Sequence, residues 1–179
     1  MTTDLDLLRY PIGKFVAPNE ITKDDINNWI EEIGNLPSEL KDAVNLLKPE
    51  QLDTPYRPGG WTLRQVVHHL ADSHMNSYIR FKLAISEDTP TIKPYMEEKW
   101  AELEDAKNGA VEISLNLLQS LHSRWVLFLR SLTEEDFEKG FIHPEHGRKM
   151  LLKQALAMYA WHGKHHLNHL LKTKKAEGW

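Results

Sequence analysis

Apolar residues recur at three- and four-residue steps along almost the whole chain, and no stretch keeps the two-residue alternation of a strand. This rhythm predicts an all-α fold. From Ile26 the apolar positions continue at Ile30, Ile33, Leu40, Val44 and Leu47. Thr22, with Asp25 three residues on, is placed as the N-cap of this first helix, and Pro37 is expected to kink or split it. The connector TPYRPGG, residues 54–60, follows. A second helix opens on the capping pair Thr62 and Gln65, runs to about Ser86, and is broken by DTPTIKP at residues 88–94. A third helical region covers about 97–130, with an interruption near Asn108-Gly109. Its second half steps through Leu118, Leu121, Trp125, Phe128 and Leu132. A short capped turn begins at Thr133. Residues 141–149, FIHPEHGRK, read as a loop before a final helix of about 149–174. Four long amphipathic segments joined by modest loops predict an up-and-down four-helix bundle.

The totals exclude several functions. The chain has 179 residues and a formal net charge of −4, with its Lys and Arg dispersed, so no basic face for nucleic acid is implied. No apolar run approaches the roughly 18 residues that span a bilayer. MTTDLDLLRY lacks the basic and apolar regions of a signal peptide, so the expected location is cytoplasmic. Cysteine is absent, which removes disulfides, thiolate ligands and a cysteine nucleophile. Histidine occurs ten times, so a transition-metal site would be built from imidazole and carboxylate ligands.

The last helix carries WHGKHHLNH, residues 161–169. At about 100° per residue, His162, His165, His166 and His169 fall on the arc of Ala155, Met158 and Tyr159, facing the expected core. A buried ring without a partner costs roughly 1–3 kcal/mol, so a stripe of them needs a shared explanation, and a bound cation supplies one. Histidines at i and i+4 can grip one ion, and both His162/His166 and His165/His169 have that spacing. The second helix holds His68, His69 and His74 in WTLRQVVHHLADSH. Periodicity favours His74, which falls with Leu63, Val67, Leu70 and Phe81, as the third ligand; His69 lies on the shoulder of that face. His69 heads a polar stripe of Ser73, Asn76 and Arg80, which reads either as a solvated face or as the wall of a pocket. His122, His143 and His146 have no comparable setting, and the last two flank Pro144 in a loop.

WTLRQVVHHLADSHMNSYIRF together with YAWHGKHHLNHL, and LRYPIGKF with LDTPYRPGGW, resembles the DinB-like superfamily, in the branch of YfiT-type putative metal-dependent hydrolases that also includes bacillithiol transferases. The resemblance spans nearly the whole chain. It implies one DinB-like bundle domain over residues 1–179 with a short N-terminal extension at about 1–20, a homodimer, and one divalent ion, Zn or Ni, held by three histidines. Carried over by position, those are His69, His162 and His166, which sets His74 aside. Three neutral imidazoles leave the full charge on the ion, which can bring bound water from a pKa of 15.7 to about 7 on zinc. Asp72 or a backbone carbonyl is a candidate to orient a ring through its second nitrogen.

Three functions fit: hydrolysis of a small electrophile by metal-activated water, transfer of a thiol such as bacillithiol, and non-catalytic metal binding. The last predicts a closed fourth position, filled by His165, His74 or a carboxylate.

Overall fold

The computed structural model describes residues 4–145 and 147–179. The chain runs α1 (Asp4–Arg9), α2 (Lys23–Val44), α3 (Pro49–Leu52), α4 (Leu63–Ser86), α5 (Glu97–Trp100), α6 (Glu104–Asn108), α7 (Val111–Arg130), α8 (Glu134–Phe137), β1 (Gly140–His143), β2 (Arg148–Leu151) and α9 (Leu152–Glu177). Four long helices, α2, α4, α7 and α9, form a four-helix bundle. Side-chain caps fix several starts. Thr22 Oγ1 accepts from the Asp25 amide at 3.2 Å while Asp25 Oδ2 accepts from the Thr22 amide at 2.9 Å, and Thr62 with Gln65 and Thr133 with Asp136 repeat the arrangement.

The helices do not simply alternate in direction. Along α4 and α7 the contacts rise together, His68 with Ser114, His74 with His122 and Tyr78 with Phe128, so these neighbours are parallel. Glu32 with Lys164 and Ala43 with Lys174 make α2 and α9 parallel as well. Between α4 and α9 the order reverses, His69 meeting His166 and Arg80 meeting Tyr159. In chain order the four run up, down, down, up. The connector of residues 87–110 carries the chain back past α4, so that α7 restarts at the end where α4 began. Consecutive helices α2 and α4 stand across the diagonal, as do α7 and α9.

Two expectations are corrected. Helix α2 continues unbroken through Pro37, which is buried along with Leu36 and Leu40. Residues 141–149 are not a loop: most of them form the hairpin β1–β2, paired Phe141 with Met150 and Ile142 with Lys149. The chain before it adds a short parallel bridge, with the Ile92 amide donating to the Ile142 carbonyl at 3.0 Å.

The apolar core falls into two clusters. One, around Leu40, Leu63, Leu70, Leu118 and Leu170, fills the end where α4 and α7 begin. The other, around Ile33, Phe81, Trp125, Leu152 and Leu156, fills the opposite end. Between them along the helices lie His74 on α4, His122 on α7, and His162, His165 and His166 on α9. Gly163 lets α9 approach α2 closely: a Cβ there would stand 2.6 Å from Leu36 Cδ2. Among the described residues no helix is long and apolar enough to cross a membrane.

Candidate metal centre

His69 on α4 and His162 and His166 on α9 converge, each offering a ring nitrogen within 4.8 Å of the other two. The Nε2 atoms of His69 and His162 face each other at 3.3 Å. Two nitrogens on one tetrahedral zinc, each about 2.0–2.1 Å from it, are separated by about the same distance. His69 and His166 are buried and His162 is partly exposed. Trp61 covers the cluster from one side, its ring 4.7 Å from that of His69. Burial, followed by the charge of neighbouring histidines, holds His162 and His166 well below the usual imidazole range and lowers His69 to about 4. At neutral pH the three rings are uncharged lone-pair donors, the form a divalent ion needs.

The remaining imidazoles explain how those lone pairs are aimed. His122 Nδ1 lies 2.5 Å from the Ile33 carbonyl. A carbonyl only accepts, so Nδ1 carries the proton and Nε2 of His122 is the acceptor. His74 Nδ1, 3.0 Å away, donates to it. His74 Nε2 then accepts from His162 Nδ1 at 3.2 Å, which leaves Nε2 of His162 unprotonated and turned towards His69. A second relay serves His166. His169 Nε2 donates to the Arg9 carbonyl at 3.3 Å, so its Nδ1 accepts from His166 Nδ1 at 3.3 Å, and the His166 lone pair is left on Nε2. Metal-binding histidines are commonly oriented through their second nitrogen in this way. Here imidazoles fill the intermediate places and a backbone carbonyl ends each relay.

The structure therefore gives His74 a different place from the one periodicity favoured. It is fully buried on the apolar face of α4, as its position requires, but it contacts His162 from behind. His122, for which the sequence offered no setting, is just as buried and anchors the relay. His165, His166 and His169 form a second group of close nitrogens, all from one helix; its His166–His169 pair is already committed to the Arg9 relay, and His165 stacks on Trp161 at 4.6 Å. His143 is half-buried on β1 at the mouth of a cleft, and His146 lies outside the described residues. The solvated-face reading of the α4 stripe does not hold for Ser73 and Arg80, which are buried. Both line that cleft of about 510 Å³, which reaches His162. The Asn76 amide instead donates to the Asp72 carbonyl at 2.9 Å. The Asp72 carboxyl, raised to about 6 by burial and then by Asp105, hydrogen-bonds to no imidazole among the described residues; of the two orienting groups expected, Asp72 or a backbone carbonyl, it is backbone carbonyls that end the relays behind His162 and His166.

Residues 33–170 match the family described as the DinB superfamily. The chain belongs to that superfamily. It is 58% identical over 172 residues to a protein of Bacillus cereus strain 03BB102 named putative metal-dependent hydrolase, covering 96% of this chain and 98% of that one. A Bacillus thuringiensis subsp. konkukian protein with the same description matches to the same extent. Among solved structures, YfiT from Bacillus subtilis superposes with a TM-score of 0.94 at 50% identity, covering 97% of this chain and 99% of that one. YfiT is described as a probable metal-dependent hydrolase with an unusual four-helix bundle topology. The up-down-down-up order found in this DinB-superfamily chain is likewise not the simple bundle.

Proposed function

We propose that the chain is a metal-dependent hydrolase of small electrophilic substrates, with His69, His162 and His166 holding one Zn or Ni ion. The observation that carries this reading is the 3.3 Å approach of two Nε2 atoms, with a third nitrogen close by, at a ring that borders a 510 Å³ cleft. A divalent ion held there supplies Lewis acidity, making a water or thiol far more acidic at neutral pH. The chain's own residues prepare the place. The two relays hold His162 and His166 in the tautomer that presents Nε2. Trp61 excludes solvent behind His69, while His162 borders the cleft through which a substrate reaches the cluster. The partial exposure of His162 favours an open site over the sealed site of a purely structural metal.

The test is elemental analysis of purified protein, wild type against His166→Ala, followed by turnover of an ester panel. About one equivalent of metal in the wild type, lost in the variant, together with metal-dependent ester cleavage is the expected result. A histidine-independent metal content would overturn the ligand assignment. Conjugation of monochlorobimane that requires bacillithiol, without ester cleavage, would replace water by a thiol as the nucleophile.

A further inference from the structure

We propose that the cleft beside the three-histidine cluster seats a small carboxylate-bearing molecule, its anionic end on Arg80. The inference deepens the hydrolase reading by naming a substrate class, but its evidence is separate from the metal ligands.

Two arginines among the described residues are buried, and both are on α4. Arg64, 9% exposed, is satisfied: Nε meets Asp53 Oδ1 at 2.7 Å and Nη1 donates to the Gly109 carbonyl at 3.0 Å. Arg80, 8% exposed, is not. Its one hydrogen bond runs from Nη1 to the Tyr159 hydroxyl at 3.3 Å, and no carboxylate of a described residue pairs with it. A guanidinium offers five N–H donors, cannot accept, and keeps its charge at any physiological pH. A buried charge left unpaired is costly, so its retention on a cleft wall calls for an anion from outside the chain.

The surroundings narrow that anion. Arg80 touches Tyr159, and the Tyr159 ring lies 5.7 Å from the ring of His162, so the guanidinium and the metal cluster stand along one wall of one cleft. A single small molecule can reach both. Ser73 lines the same wall and offers a hydroxyl beside Tyr95. Pro94, Met96 and Met158 give the cleft an apolar side, suited to a short hydrocarbon body. Glu97, Glu98 and Glu145, against the one cation Lys99, make the remaining lining acidic, which disfavours polyanions. A planar carboxylate matches the guanidinium fork with two parallel hydrogen bonds.

The experiment uses the full-length, metal-free protein labelled with ¹⁵N, titrated with butanoate, hexanoate, the matching alcohols, and inorganic phosphate. The readout is the Arg80 Nε–Hε resonance, identified by its loss in Arg80→Lys. The expected result is a saturable shift with the carboxylates, at least ten-fold tighter than the alcohol of equal length, weaker with phosphate, and no carboxylate advantage in Arg80→Met. Circular dichroism checks that Arg80→Met is folded; should it not be, Arg80→Lys, which keeps the charge and loses the fork, is expected to bind several-fold more weakly. An unmoved Arg80 resonance, equal binding of carboxylate and alcohol, tighter binding of phosphate, or undiminished affinity in the folded variants would overturn the proposal. No metal and no turnover enter this titration, so a failure of the hydrolase reading leaves it intact. With both readings correct, an ester carrying a terminal carboxylate shows a lower KM than its neutral analogue, and Arg80→Met removes the difference.

Discussion

Pro37 stands four residues after Ile33, so within α2 the Ile33 carbonyl has no amide to accept from, and it takes the Nδ1–H of His122 instead. A residue that normally disrupts a helix thereby frees the acceptor on which the first relay rests. The carbonyl is satisfied, and the buried proline contributes apolar packing, which is why the helix continues.

The relays predict a pattern of metal affinities. His122→Phe and His74→Phe should each weaken zinc binding about 10- to 100-fold, the range typical of residues that orient ligands, and the double variant should be little worse than either alone. His169→Phe acts on His166 through the other relay, so its effect should add to that of His122→Phe. Competition titration with a chromophoric chelator measures all of these, and ¹⁵N tautomer spectra of the metal-free protein should show the proton on Nδ1 of His122, His74, His162 and His166. Protons found on Nε2 of His162 would contradict the relay.

Acid should unfold the metal-free chain early. Burial lowers His122 and His165 to about 4, whereas in the unfolded chain each has its ordinary value near 6.5. Between those values the unfolded state binds more protons, so stability is full above pH 6.5 and falls as pH drops towards 4. The slope is up to about 1.4 kcal/mol per pH unit for each such ring. Urea unfolding at several pH values checks this, and His122→Phe should flatten the dependence.

Gly163→Ala should be destabilising despite the better helix propensity of alanine. The added methyl meets Leu36 Cδ2 at 2.6 Å in a core where Leu36 is 2% exposed. Overpacking of this kind costs about 1–3 kcal/mol, against up to about 1 kcal/mol gained in propensity. Thermal melts should show a lowered Tm, and Leu36→Ala in the same molecule should cost less than it does alone.

Metal itself should stabilise the fold. Zinc at a hundred times its Kd adds about 2.7 kcal/mol if it binds only the folded chain. The rise in Tm should be reversed by EDTA and absent in His162→Ala.

Much of this was legible in the sequence, for identifiable reasons. Capping at Thr22, Thr62 and Thr133 is local chemistry, and all three caps form. Helical arcs put the α9 histidines and His74 inside; His74, His165, His166 and His169 are buried, and His162 is half-buried at the cleft. Spacing alone did not choose the cluster that forms; the resemblance pointed to His69, whose shoulder position on α4 lets it meet α9, while the more central His74 is blocked behind His162. The hairpin was hidden because its strands have four residues each and burial in β2 changes along the strand, Arg148 and Lys149 exposed and Met150 and Leu151 half-buried, instead of alternating between faces. Helix direction depends on where the 87–110 connector travels, which no periodicity records. The role of Pro37 needed a residue 85 positions away to become visible.

The belt of imidazoles has one more effect, because it parts the hydrocarbon interior into an upper and a lower block. Each block can melt with its own cooperativity, joined to the other by little more than helical backbone and ring contacts. An ion shared by α4 and α9 couples them, so the loaded chain should unfold as one unit and the stripped chain as two, with denaturant transitions that differ between a probe at Trp61 and one at Trp125.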